Sequence, residues 1–324
     1  MSVGGWAPPV AASGDGLTPR GRGSVSGAPH LPPGFKDVFT SRFVDVGEVR
    51  LHAVTGGDGP PLLLVHGWPQ TWYQWRLVMP ALARHHQVVA VDQRGIGLSD
   101  KPQDGYDSAS LAGDMVALMG ALGHERFSIY GTDVGMPIAY AVAADHPDRV
   151  DRLAVSEAFL PGIAGAAALV FPIQQDQVVN ARLWHLIFNQ LPPEVNEALV
   201  KGREDVFFGA EFDASAGTNK LAAEAVRYYV RILRSDRDAL HGSFGFYRAM
   251  WATAEQNVQR SNAQKLSMPV LAMGGAESSA GTVGAIMMAV ATDVQALIIP
   301  GAAHWVAEQA PDEIIAALTA FLSG

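Results

Sequence analysis

Apolar residues along this chain recur with two different periods. Short runs such as "RFVDV", "VRLHAV", "PLLLV", "HQVVAV", "RFSIY" and "DRLAVS" read as strands. The stretches between them carry helical spacing, with helices predicted from about Trp72, from Ser108 to Leu122, and after Val134. Strand followed by helix, repeated, predicts a mostly parallel sheet with helices on both faces. After Leu160 the rhythm stops. Residues 161–250 offer helical patterns such as "FPIQQDQVVNARLWHLIFNQ" and "LAAEAVRYYVRILRS" but no strand, which predicts a helical cap inserted between two parts of a core, 35–160 and 251–324. Alternation resumes with "MPVLAMGG", a helix, "VQALIIPG" and a closing helix "PDEIIAALTAFL". Residues 1–34 are rich in Gly, Pro and Ser without apolar periodicity, so they read as a flexible tail or the remnant of a leader.

Composition narrows the chemistry. With 48% hydrophobic residues in 324, the chain can bury a large core. Its net charge is -9, and its lysines and arginines are scattered singly, so nucleic acid is not an expected partner. No run approaches the roughly 20 apolar residues that span a bilayer, so a membrane is not an expected partner either. The start lacks the apolar core of a secretory signal, which predicts a cytoplasmic protein, or a periplasmic or secreted one if a leader is missing. The cysteine count of 0 excludes disulfides, thiolate metal sites and a cysteine nucleophile. "DQRGIGLSD" lacks the lysine and spacing of a phosphate-binding loop. No metal cluster is visible and no cofactor is expected, so carboxylates, hydroxyls and imidazoles must carry the chemistry.

The segment "GTDVG" at 131–135 sits between a predicted strand and a predicted helix. Glycine, any residue, nucleophile, any residue, glycine in that setting is a nucleophile elbow, whose central side chain is held on a tight turn at the carboxyl edge of the sheet. Here the centre is Asp133. Upstream, His66-Gly67-Trp68-Pro69 follows a buried strand where such a fold builds half of an oxyanion hole, so the amides of Trp68 and Val134 are the expected donors. His66 itself reads better as a brace for its loop than as a catalyst. Downstream, His304 in "IIPGAAHWVAEQAP" follows a strand and a turn of small residues, the place of a general base. Two acids could orient it, Glu157 in "LAVSEAFLPG" and Glu277 in "LAMGGAESSAG". A carboxylate is a poor acyl acceptor and a good displacer at saturated carbon, so the expected substrate is an epoxide or an alkyl halide. Displacement would leave an alkyl ester on Asp133, which water activated by His304 would hydrolyse.

From about Pro32 to Leu322 the chain resembles the α/β-hydrolase superfamily and, within it, the epoxide hydrolases. The likeness rests on "HGWPQTWYQW", "SEAFLPG", "LWHLIFNQ", "GSFGFYRAM", "QNVQRSNAQKLSMPVLAMGG" and "PGAAHWVAEQAPDEI". The resemblance implies an α/β-hydrolase fold, with an eight-stranded, mostly parallel sheet and a helical cap after the sixth strand. It also implies Glu157 as the triad acid, and a bacterial subgroup in which a His/Tyr pair replaces the usual two cap tyrosines. Those positions are His185 and Tyr247 here. Such a pair suits the chemistry, because ring opening releases an alkoxide that needs a donor opposite Asp133. Trp68, Trp184, Phe188, Phe244 and Phe246 are expected to give the pocket apolar walls, for a small to medium epoxide. A homodimer is a further expectation.

Other members of the superfamily fit less well. Haloalkane dehalogenases usually carry Trp immediately after the nucleophile, where this chain has Val134. Fluoroacetate dehalogenases carry arginines one and four residues after it and a Trp after the cap His; here stand Val134, Pro137 and Leu186. A non-catalytic, ligand-binding member would show a broken triad, and every triad position is filled.

Overall fold

The computed structural model describes residues 18–163 and 177–324. Eight strands, β1 (Thr40–Asp45), β2 (Arg50–Gly56), β3 (Pro61–Val65), β4 (Gln87–Asp92), β5 (Phe127–Thr132), β6 (Val150–Ser156), β7 (Val270–Gly275) and β8 (Val294–Ile299), form one sheet. Their order is β1-β2-β4-β3-β5-β6-β7-β8. The pairs β1/β2 and β2/β4 are antiparallel, and every later pair is parallel. The central strands β3, β4, β5 and β7 are almost wholly buried, as their unbroken apolar runs require when helices cover both faces.

Register brings distant parts of the sequence to one edge. Val65 pairs with Gly131, Thr132 with Ser156, Ser156 with Met273, and Gly275 with Ile299. The residues that follow, His66 to Trp68, Asp133, Glu157 and the loop before His304, therefore leave the carboxyl ends of neighbouring strands. The order in which strands are added to the sheet reverses beside β3, which lies between β4 and β5, and that is the crevice where open α/β sheets bind ligands.

Two helices fix the base of this edge. Ser108–Ala121 starts at Asp107, whose carboxylate accepts from the Ala109 and Ser110 amides at 3.1 and 3.2 Å, a side-chain N-cap. Gly135–Asp145 follows the elbow and is buried from Gly135 through Ala143. The helix Met250–Ala263 packs against both, with Arg260 bonded to Asp145 and to Ser108. Between β6 and β7 the described residues contain helices and no strand: Gln177–Leu183, His185–Phe188, Pro193–Val200, Glu204–Ala214, Ala223–Arg234, Ala239–Arg248 and Met250–Ala263.

The helical pattern in "FPIQQDQVVNARLWHLIFNQ" holds two helices, Gln177–Leu183 and His185–Phe188, on either side of Trp184, and its first residues lie outside the described ones. Two expectations need correction. The predicted helix near Trp72 is a single 3-10 turn, Trp72–Trp75, followed by the short helix Met79–Leu82. The tail is the second. Residues 1–17 lie outside the described ones, but residues 18–34 pack on the core rather than trailing from it. Ser24 and Val25 are buried, the Trp72 indole donates to the Gly23 carbonyl at 2.6 Å, and the Tyr73 hydroxyl donates to the Pro29 carbonyl at 2.8 Å. The segment supplies acceptors to aromatic donors that would otherwise be buried without partners. That demand arises far along the chain and leaves no periodicity in the segment itself.

Candidate active site

Asp133 sits at φ 52, in the left-handed region that a side chain with Cβ seldom occupies. Its neighbours leave no room for side chains. A Cβ on Gly131 would lie 2.1 Å from the Gly135 carbonyl oxygen, and one on Gly67 would lie 2.6 Å from the Asp133 Cβ. The elbow is thereby held against the loop after β3, and the Trp68 amide donates to Asp133 Oδ1 at 2.6 Å. No hydrogen bond joins the Val134 amide to this carboxylate; Val134 stands at the N-cap of the following helix and lines the cavity.

The other carboxylate oxygen faces the base. Asp133 Oδ2 is 3.3 Å from His304 Nε2, and His304 Nδ1 is 3.2 Å from Glu157 Oε2. Glu157 is 2% exposed and also adopts positive φ, at 58°. Its Oε1 accepts the Gly275 amide at 2.5 Å and its Oε2 accepts the Ser279 hydroxyl at 3.3 Å. Glu277 lies elsewhere. Exposed to solvent, it accepts from the amide and hydroxyl of Thr218 at 2.8 and 2.6 Å, and so ties a cap loop to the core.

The loop carrying His304 is braced from several sides. The His304 amide donates to the Ser215 carbonyl, and the Trp305 indole to the Phe212 carbonyl. Glu308, just beyond, pairs with Arg76 and accepts from Gln70 and Tyr229. Burial by itself would lower the His304 pKa. Hydrogen bonds and charge from Asp133 and Glu157 outweigh it, and the imidazole is pushed up to about 10. His304 therefore carries a proton at neutral pH, and its contribution to stability is present below its unfolded value and lost as pH rises through about 10. Replacing Asp133 with Asn removes one of the two carboxylates. In the folded variant the His304 midpoint, followed by imidazole NMR, is expected about one unit or more below that of the parent. An unmoved midpoint would mean that Asp133 does not hold the proton.

Above the carboxylate, His185 stacks on Trp68 with ring centroids 5.0 Å apart and planes 16° apart, and Tyr247 meets both rings edge-on. The Trp68 indole donates to Ser243 at 2.7 Å, which fixes this platform. Tyr247 is almost wholly buried; burial first, then the charges of Asp133 and Glu211, raises its pKa well above the ordinary 10, so it remains a donor.

Asp133, Glu157, His185, Tyr247 and His304 all line one cavity of about 210 Å³, with Trp68, Val134, Leu186, Phe246, Met250 and Trp305 among its apolar walls. Three expected wall residues are not there. Trp184, Phe188 and Phe244 pack with Phe207 at centroid distances of 5.3, 5.2 and 5.8 Å, in an aromatic cluster of the cap that runs from buried Phe244 through half-buried Phe188 to exposed Trp184. Of the expected walls only Trp68 and Phe246 face the cavity. Sequence reading also missed Glu211, a buried acid on the cavity wall 3.1 Å from His185 Nδ1; its one sequence signal is a lone glutamate among the phenylalanines of "VFFGAEFDA".

Two other histidines are structural. His66 is buried, with Nδ1 bonded to the Gly67 carbonyl and Nε2 accepting the Gln93 amide; burial lowers its pKa, so it braces the loop as a neutral ring. Ser41, His52 and Asp92 form a hydrogen-bonded line of 2.9 and 2.7 Å, an arrangement familiar from serine catalysis. Ser41 is sealed, however, and its hydroxyl oxygen accepts the Val25 amide, so the line is a strut under the docked N-terminal segment. Among the described residues no cluster of His, Cys, Asp and Glu could hold a metal ion, and no helix is long and apolar enough to cross a membrane.

A family model described as alpha/beta hydrolase fold matches residues 60–311. A soluble epoxide hydrolase from Corynebacterium sp. (strain C12) is 33% identical over 273 residues, covering 82% of this chain and 91% of that protein. A fluoroacetate dehalogenase from Burkholderia sp is 32% identical over 295 residues, covering 88% and 94%. The crystal structure of Cfl2 from Burkholderia cenocepacia superposes with a TM-score of 0.82 at 32% identity, covering 91% of this chain and 97% of that one.

Proposed function

Because the chain belongs to the α/β-hydrolase fold family and carries a carboxylate at its elbow, we propose that it is an epoxide hydrolase, opening a small-molecule epoxide to a vicinal diol through an ester on Asp133. The observation that carries this reading is the division of labour on Asp133. Oδ1 is engaged by the Trp68 amide, while Oδ2 faces His304 and the cavity. In this scheme Oδ2 attacks a ring carbon, and His185 and Tyr247 meet the departing oxygen. The ester carbonyl is then already seated in its donor, and charge that develops on it during hydrolysis is stabilised without rearrangement.

Ester formation also removes the charge of Asp133. His304 keeps only Glu157 as a counter-charge, loses much of its hold on the proton, and can act as a base toward water. A second cavity, about 10 Å³ and so of roughly one water's size, touches Asp133 and His304 and has Gln70, Gln74 and Thr132 on its walls. It suits the hydrolytic water.

Dehalogenation is the rival, supported by the relative that acts as a fluoroacetate dehalogenase. Val134 and Pro137 line the cavity as apolar residues, and Leu186 follows the cap histidine, so the donors expected for a haloacid are not at those positions. Incubation with a panel of epoxides and alkyl halides, scored for diol against halide release, separates the two readings. Diol formation is expected; halide release without diol would reverse the assignment.

Donation to oxygen matters more for an epoxide than for a halide, because the alkoxide is strongly basic and stays tethered. Tyr247→Phe and His185→Ala are each expected to slow ester formation by on the order of 10²-fold, as loss of an oxyanion donor does, with Tyr247→Phe leaving the melting temperature nearly unchanged. Rapid-quench mass spectrometry reads the rate, and parental rates in both variants would leave the pair a packing role only.

A further inference from the structure

Glu211 has no part in the scheme above. It lies on the helix Glu204–Ala214, 2% exposed, on the wall of the cavity. Its Oε1 accepts the Ser215 hydroxyl at 3.1 Å and stands 3.1 Å from His185 Nδ1. That approach falls outside hydrogen-bond geometry, and both His185 Nδ1 and Glu211 Oε2 are buried without a hydrogen-bond partner among the described residues. A buried carboxylate needs a cation beside it or must take up a proton. Among the described residues, the other cationic groups on the cavity wall have partners of their own: Arg182 donates to the carbonyls of Ala214 and Glu277, and His304 lies between Asp133 and Glu157. His185 is left. It also lies flat on the Trp68 indole, a face that favours a cation.

We propose that Glu211 is a positioning residue that keeps His185 as an imidazolium, so that the proton delivered to the opening epoxide comes from His185, with Tyr247 adding a hydrogen bond. This rests on the epoxide reading. In the first step Asp133 Oδ2 bonds to a ring carbon, the C–O bond breaks with its electron pair on oxygen, and that oxygen takes the Nε2 proton of His185. In the second, water adds to the ester carbon. His304 first gives up its resting proton to solvent, once the ester has removed the charge of Asp133. One proton of the water then passes through His304 to the departing diol oxygen, the other is freed when Asp133 returns to a carboxylate and restores His185, and His304 takes a proton back from solvent. Among the described residues, the charged or titratable groups that share the cavity with His185 are Glu211 and Tyr247 from the cap helices beside it, Arg182 from the preceding helix, and Asp133, Glu157 and His304 from the core side.

The test is the rate of ester formation from styrene oxide in a His304→Gln background, with and without Glu211→Gln, across pH. A general acid loses activity as pH rises through its pKa. Glu211→Gln is therefore expected to move that limb down by about one unit or more, slowing the step about tenfold near pH 8 while leaving it close to parental near pH 5.5. Loss by the same factor at every pH, or no loss, overturns the proposal. Absence of any adduct in the parental background sinks the epoxide reading and this inference with it, whereas adducts with an unmoved limb overturn this inference alone. Should Glu211→Gln fail to fold, imidazole nitrogen shifts of His185 in the unsubstituted protein decide: a charged ring at about pH 7.5 is expected, and a neutral one overturns the proposal.

Discussion

His304→Gln is expected to stop turnover while leaving the first chemical step intact, so that the protein gains the mass of one epoxide and keeps it. The reasoning follows from the two faces of Asp133. Attack by Oδ2 requires no base, since a carboxylate supplies its own electron pair and Trp68 already holds its partner oxygen. Hydrolysis does require one, because neutral water is too weak a nucleophile for an ester, and a glutamine at 304 can take no proton. Steady-state diol formation should fall by at least ~10³-fold. Intact-mass spectrometry after incubation with an epoxide should show the adduct, and peptide mapping should place it on Asp133. An adduct on another residue would remove Asp133 from the role of nucleophile. Continued turnover would instead remove His304 from the role of base.

The second large effect belongs to Glu157. Its carboxylate receives His304 Nδ1 together with the Gly275 amide and the Ser279 hydroxyl, so it fixes the position of the ring and balances its charge when water is deprotonated. Glu157→Gln is expected to reduce turnover by ~10²- to 10⁴-fold, chiefly in ester hydrolysis, so that adduct should accumulate during turnover. Glu277→Gln is the matched control. Its carboxylate is exposed and, among the described residues, bonds only the Thr218 loop, so diol formation should change little. Equal losses in the two variants, or a larger one at Glu277, would transfer the orienting role away from Glu157.

The comparison of the two glutamates shows where sequence reading stops. Both follow strands at the same edge of the sheet, and local pattern assigns them equal standing. The difference lies in direction: Glu157 turns inward at positive φ to meet His304, and Glu277 turns outward to the cap. By contrast the elbow, the His66-Gly67-Trp68 loop and His304 were legible, because each is written within a few residues around a strand end. The cap was harder. Aromatic residues there serve the cavity or the cap's own aromatic cluster, and helical periodicity does not say which; Phe246 went to the cavity, and Trp184, Phe188 and Phe244 to the cluster, with Trp184 on its exposed side. Glu211 escaped notice because its meaning comes from His185 on another helix. The N-terminal segment from residue 18 escaped for a similar reason, since its hold on the core consists of backbone carbonyls offered to Trp72 and Tyr73.

The 2.6 Å contact between the Trp68 amide and Asp133 Oδ1 makes the two oxygens of one carboxylate chemically unequal. In the proposed cycle the bond that forms and the bond that breaks both involve Oδ2, so each diol carries away an oxygen that belonged to the protein. The incoming water refills that same position, provided the side chain does not turn over while Trp68 grips the other atom. One oxygen of Asp133 is then a consumable, renewed from solvent at every turnover. The other is a permanent fixture, the atom with which the chain was synthesised. An enzyme that ends each cycle chemically unchanged would still, after its first, differ from the molecule that was translated by a single exchanged atom.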